Sequence, residues 1–254
     1  MMVFNDVFKS ALLDVTHLFS MGQAGYILKS KEGQTLAIDL YLSECVESIE
    51  GHDGYHRLMP QIANSKDLQL GVLIATHFHR DHFDIDAIPE LMANGKTRLF
   101  CAYDCEWDVR RLGIDESRVT YVRPGDHFEC GAYLLDFVNC DHGTGAPLAV
   151  GVIITVDGKR ILAVGDSCLR LDRKDEYLKA GMIDVLIAPI NGAYGNLNES
   201  ECAELANVLS PEMTIPCHFG MFASHGGNAG VFIEEMRKRK LRYKIMAMGE
   251  DYVI

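Results

Sequence analysis

The stretch Thr76-His77-Phe78-His79-Arg80-Asp81-His82 constrains this chain more than any other. It places three imidazoles and a carboxylate within six residues, directly after the apolar run Gly71-Val72-Leu73-Ile74-Ala75. Such a run, rich in β-branched residues and bounded by polar ones, reads as a buried strand. Residues two apart on an extended backbone face the same way, so His77 and His79 are expected to reach one metal ion together. Asp81 and His82 fall where the chain leaves the strand and turns toward a helix, facing a second position a few ångströms away. Chance histidines in a solvated turn explain this poorly, because the motif sits in the context that it requires.

His77-x-His79-x-Asp81-His82 resembles the HxHxDH signature of the metallo-β-lactamase superfamily. The resemblance implies further ligands downstream: a lone His, an Asp closing a Gly-Asp-Ser-like turn, and a final His. Asp141-His142, Gly165-Asp166-Ser167 and Pro216-Cys217-His218 supply them in order, each after an apolar run. Within the superfamily, the Gly-Asp-Ser turn and Ile215-Pro216-Cys217-His218-Phe219-Gly220 are most similar to the branch containing L-ascorbate-6-phosphate lactonase.

By the family's pattern, His77, His79 and His142 would hold one metal, Asp81, His82 and His218 the other, and Asp166 would bridge them. The implied cofactors are two divalent ions, zinc or manganese, with iron also compatible, sharing a hydroxide that serves as nucleophile. Asp81 would both ligate and orient that hydroxide, which makes it the expected catalytic residue. Three substrate contacts are expected. Arg80, inside the motif, would hold an anionic group or pair with a surface carboxylate. Tyr194, in Asn191-Gly192-Ala193-Tyr194-Gly195-Asn196, would donate to an oxyanion or pack on its loop. His225, in Ser224-His225-Gly226-Gly227-Asn228, would border the site or face solvent.

The formal charge, 24 − 36 = −12, disfavours a nucleic-acid or membrane-surface partner. It leaves room for an anionic small-molecule substrate, because bound cations would reverse the local field. Met1 to Leu18 is broken by Asn5, Asp6, Lys9, Asp14 and His17 and lacks a signal-peptide apolar region. No apolar run approaches the ~18–20 residues of a membrane span. Eight Cys without framework spacing suggest free thiols in a reducing cytoplasm. Cys140, Cys168 and Cys217, beside the expected ligands, read as small hydrophobes pointing into the core.

Along the chain, Thr16 to Phe19, Ala24 to Lys29 and Thr35 to Asp39 read as a meander with glycine-bearing turns. Asp39 ends its strand either as an active-site residue or as a turn former. Tyr41 to Ser65 is expected to be a substrate-covering loop running into a short helix over Arg57 to Ile62. His52 and His56, four apart, could share a helical face as a metal pair, but Gly51 and Gly54 weaken that helix. Helices are predicted over Ile85 to Ala93, over Asp104 to Leu112 with Asp104 as N-cap, near Arg173 to Ala180, from Asn198 to Leu209 and over Ala229 to Lys240. Further strands are predicted at Arg98 to Ala102, Arg118 to Val122, Tyr133 to Val138, Ala149 to Val156, Arg160 to Val164, Ile183 to Ile187, Met213 to Cys217 and Arg242 to Met248.

With the resemblance, this order implies an α/β fold. It is a four-layer αβ/βα sandwich of two mixed β-sheets with helices on the outer faces, formed as one domain over 1–254. The implied function is a metal-dependent hydrolase acting on a small molecule, a lactone or a phosphorylated sugar-acid derivative. A phosphodiesterase or nuclease of the same superfamily is the alternative, and a non-catalytic metal-binding scaffold is disfavoured by the complete ligand set.

Overall fold

The computed structural model describes residues 3–254; Met1 and Met2, where the N-terminal expectation begins, lie outside them. Helix α1 (Val3–Ser10) precedes a meander of β1 (His17–Gly22), β2 (Gly25–Lys29) and β3 (Thr35–Ile38). Two short helices follow, α2 (Cys45–Glu50) and the kinked α3 (His52–Tyr55), then β4 (Val72–Ala75), α4 (Ala87–Met92), β5 (Arg98–Ala102), α5 (Glu106–Arg111) and β6 (Val119–Val122). The second half runs through β7 (His127–Cys130), β8 (Tyr133–Asn139), β9 (Val150–Val156), β10 (Lys159–Ala163), α6 (Lys174–Leu178) and β11 (Val185–Pro189). It closes with α7 (Glu199–Leu209), β12 (Met213–Cys217), α8 (Ala229–Lys238) and β13 (Asp251–Val253).

These strands build two mixed sheets, ordered β13-β1-β2-β3-β4-β5-β6 and β12-β11-β10-β9-β8-β7. Each sheet is antiparallel at one end and parallel at the other. The parallel part of the first is β3-β4-β5-β6 and of the second β10-β11-β12. Period-two alternation sorts side chains into layers. Leu36, Ile38, Val72, Ile74 and Phe100 face between the sheets, against Leu135, Phe137, Val152, Ile154, Ile161 and Ile215. Ala37, Leu73 and Ala75 face outward beneath Phe4, Phe8, Ile88, Leu91 and Val109 of the helices. On the far side α6, α7 and α8 cover Ile153, Leu162 and Leu186. The four-layer αβ/βα expectation holds.

Local signals worked where they were short-range. Asn198 accepts from the Glu201 backbone N–H while the Glu201 carboxylate reaches the Asn198 N–H, a capping box starting α7. Such a cap is worth about 1 kcal/mol.

Four expectations fail. Arg57 to Ile62 is not helical; Arg57 is buried and donates to the carbonyls of Tyr41 and Ser43 at 3.1 Å each, so the chain is shaped by tertiary bonds. Arg242 to Met248 is not a strand, making only a bridge from Tyr243 to Thr214; the final strand is β13, which closes the first sheet against β1. Asp104 does not cap α5, because it lies in a 3-10 turn (Tyr103–Cys105) and the cap position is Cys105. His77 and His79 do not lie on extended backbone, since residues 76–83 form bends and turns with His79 O accepting from His82 N and Phe83 N.

Candidate metal centre

The expected donor residues stand at the C-terminal ends of strands, where buried β-structure stops and the chain must turn. His77, His79, Asp81 and His82 follow β4, His142 follows β8, Asp166 follows β10 and His218 follows β12. The structure brings all seven together. His77 Nε2 lies 2.9 Å from His79 Nδ1, and His142 Nε2 lies 3.2 Å from that same atom. On the other side, His218 Nε2 is 3.2 Å from Asp81 Oδ2 and 3.3 Å from His82 Nε2. Asp166 sits between the groups, 3.3 Å from His82 Nε2, 3.0 Å from His218 Nε2 and 3.8 Å from His142 Nε2.

This donor set suits cations. Three ring nitrogens converging within 4.8 Å cannot all satisfy one another by hydrogen bonding, because lone pairs need a proton or a metal between them. The buried His142 Nδ1 has no partner either. Burial, with neighbouring imidazoles, drives His77 well below its usual range and His142 to about 4, so both are neutral imidazoles, the form a metal requires. His218 is opposite: burial opposes its charge, but Asp166 and Asp81 outweigh it and raise it to about 9. For Asp166, burial opposes ionisation, yet His218 and His82 hold the carboxyl well below its usual range. The second group therefore calls for positive charge.

Several residues that hold these donors have no motif of their own. Asp39, at the end of β3, has Oδ2 2.8 Å from His82 Nδ1 and accepts from Thr76 N and Oγ1 at 2.8 and 2.7 Å. It is a buried orienting carboxylate, the kind of partner that fixes the ring of a metal-ligating His. Gln23, in the β1–β2 turn, donates from Nε2 to Asp81 Oδ2 at 2.8 Å, and its backbone carbonyl accepts from His218 N at 2.8 Å. Asp84 accepts from Leu42 N, Ser43 N, Ser43 Oγ, Asp86 N and Ala87 N, joining the metal loop to the covering segment and to α4.

Gln23, Asp39, Tyr194 and His218 all adopt positive φ, between 47° and 61°. L-residues pay roughly 1–2 kcal/mol for this conformation, so these four site residues are held against a backbone cost. Gly165 meets the same demand more cheaply: at φ 66°, a Cβ there would lie 3.1 Å from both Cys140 Sγ and Val150 O. Ser167 serves the turn, its Oγ accepting from Asp141 N.

A cavity of about 360 Å³ opens over the cluster. Val46, Ile49 and Phe78 supply apolar wall, and Tyr55, Tyr194 and His225 also line the cavity. His225 is buried, with its ring 4.9 Å from that of His218, so the solvent-facing alternative is wrong. Tyr194 is half exposed and its hydroxyl meets that of Tyr55 at 3.1 Å across the cavity mouth. Arg80 lines the cavity, but its guanidinium is 2.6 Å from Asp108, a buried carboxylate instead of the surface one expected. Cys140 and Cys217 are core residues, whereas Cys168 is exposed, contrary to its core assignment, because it lies on the loop beyond the Asp166 turn. Among the described residues no disulfide forms and no helix is long and apolar enough to cross a membrane.

A fold of this type with this donor cluster defines a class. Residues 17–218 match the family described as the beta-lactamase superfamily domain, so the chain belongs to the beta-lactamase superfamily. By class it is a metal-dependent hydrolase. It is 29% identical over 187 residues to a UPF0173 metal-dependent hydrolase of Korarchaeum cryptofilum, covering 71% of this chain and 80% of that one. Another UPF0173 metal-dependent hydrolase, from Enterococcus faecalis, is 27% identical over 231 residues, 83% of this chain and 96% of its own. A solved metallo hydrolase from Ignicoccus hospitalis superposes with a TM-score of 0.76 at 18% identity, covering 94% of this chain and 98% of the other.

Proposed function

We propose that this chain hydrolyses a small, uncharged carbonyl compound, a lactone being the leading candidate, at the His-Asp cluster. His77, His79 and His142 would hold one divalent ion, Asp81, His82 and His218 a second, and Asp166 would bridge. Zinc and manganese both suit this imidazole–carboxylate set. Ions bound there would supply a nucleophilic water at neutral pH and polarise the substrate oxygen.

The chain's own residues do the rest. Gln23 and His218 both approach Asp81 at Oδ2, leaving Oδ1 to accept a hydrogen bond that would orient the attacking water. Asp39 holds the His82 ring in one orientation. Val46, Ile49 and Phe78 exclude water from one wall, and the Tyr194 hydroxyl at the mouth can donate to developing negative charge.

The observation that carries the choice of an uncharged substrate is the pairing of Arg80 with Asp108. Among the described residues Arg80 is the one Lys or Arg lining the cavity, and Glu50 lines it too. A phosphate held away from the reacting centre would meet a neutralised guanidinium and a carboxylate. This counts against the phosphorylated sugar-acid and phosphodiester alternatives. Arg80→Ala should therefore shift KM less than about twofold, while costing about 2–3 kcal/mol of stability; Arg111 still reaches Asp108 at 2.9 Å, which keeps the loss below that of a stranded buried charge.

The direct test measures metal content of purified protein together with turnover of lactone and phosphodiester panels after zinc or manganese loading. Lactone cleavage dependent on about two ions per chain supports the proposal. Phosphodiester turnover alone would replace the substrate, and failure to bind metal would remove the mechanism.

A further inference from the structure

We propose that Glu47, His52 and His56 form a separate surface site for a first-row divalent cation that favours nitrogen donors, such as zinc, nickel or copper. Glu47 lies on α2, and the chain reverses immediately after it through Gly51 and Gly54, both at positive φ (94° and 86°). That reversal swings two imidazoles onto one carboxylate. His52 Nδ1 is 2.5 Å from Glu47 Oε1 and His56 Nδ1 is 2.8 Å from Glu47 Oε2. The two rings are 4.7 Å apart between centroids, and the three donor atoms lie within 4.8 Å of one another.

A carboxylate accepting two Nδ1–H bonds would also use these contacts, so the geometry must be weighed against its cost. His52 and His56 are 71% and 50% exposed. Exposed charge pairs stabilise little, and here they would have to order three side chains on a stretch interrupted by glycines. An ion bound by all three offsets that ordering far better. Two imidazoles and one carboxylate also make up a known three-ligand zinc set, with the remaining position open to water. Nitrogen donors select against magnesium and calcium.

The position gives the site a consequence. Tyr55 lies between His52 and His56, and its hydroxyl meets Tyr194 over the cavity. Gly54 O accepts from Ser224 N at 3.0 Å, in the loop that follows His218. An ion held by Glu47, His52 and His56 would pin this wall of the cavity without touching the reacting centre. Binding releases any Nδ1 protons to solvent, so occupancy falls as pH is lowered.

The test is a zinc titration of the full chain, carrying its own tightly held metals, by calorimetry and by imidazole NMR. Wild type should show an added binding step outside the buried cluster, with His52 and His56 resonances shifting. Both Glu47→Gln and the double variant His52→Ala/His56→Ala should weaken that step by at least about tenfold. Hydrolysis by the tightly held metals, melting temperature and tight metal content should stay unchanged, which separates this outcome from failure of the catalytic proposal. Isotherms identical in wild type and variants, or His52 and His56 signals unmoved by zinc, would overturn the proposal.

Discussion

The strand-end loops and the 41–65 segment approach the same cavity but are held in different ways. The motif loop leaves the fully buried β4, and its donors are clamped by side chains: Asp39 on His82, Gln23 on Asp81, Asp84 beneath the motif. The covering segment has only the short helices α2 and α3, the second non-helical at Asp53 and Gly54. Its ends are fixed, by Asp84 on Leu42 and Ser43 and by Arg57 on Tyr41 and Ser43. Its middle makes mostly exposed contacts, Glu47 with its two imidazoles and Tyr55 with Tyr194. The difference teaches that precision is placed where the reacting atoms meet, while the wall that must admit substrate is tied at its margins.

The sharpest test of this contrast is His79→Ala, which removes a donor from the anchored side. It should reduce hydrolysis by at least about 100-fold together with tightly bound metal, read by steady-state kinetics and elemental analysis. Asp39→Asn keeps every donor but loosens one, and should cost about 10–100-fold in metal affinity or activity. A loss as large as that of His79→Ala would show that Asp39 does more than orient.

Asp104 probes the anchored side through pH. Burial raises its carboxyl to about 6, and its Oδ2 is buried without a partner. From the unfolded value near 4 up to about 6, the folded chain binds more protons than the unfolded one, so stability falls as pH rises through that window. Asp104→Asn should raise the unfolding free energy at pH 7 by roughly 1 kcal/mol after allowing for solvent screening, read as a higher melting temperature, with no gain near pH 4. An equal gain at both pH values would contradict the assignment. The smallest effect belongs to the covering segment. Tyr55→Phe removes one exposed hydroxyl contact and should change kcat/KM less than about fivefold. A loss rivalling Asp39→Asn would mean that this segment is as rigidly engaged as the strand ends.

Much of this site is legible in the chain because its donors are close in sequence to strong local signals. His77, His79, Asp81 and His82 follow an apolar run, and Asp166 and His218 follow two more. The roles of Gln23 and Asp84 are not legible in that way, and the orienting role of Asp39 is legible only as one of two alternatives. Asp39 and Asp84 are common turn or cap residues and Gln23 an ordinary polar one, and their work depends on partners 43, 42 and 58 residues distant. Likewise β13 has a sequence of only three residues, and pairing with β1 makes it a strand. Arg57 reads as part of a helix, yet buried carbonyls decide its conformation.

Local chemistry, acting through hydrophobic alternation, capping and the spacing of donors, marked most of the strands and helices and the His77 to His82 cluster, while the layers and the downstream donors were implied by the family resemblance. Those signals work within a few residues, where backbone geometry alone sets which side chains share a face. Only the tertiary structure decided which carboxylate orients which ring, that Arg80 is neutralised by Asp108, and that Glu47 gathers His52 and His56. Those outcomes depend on long-range burial, since a polar group removed from water must find whatever partner the packed chain brings to it.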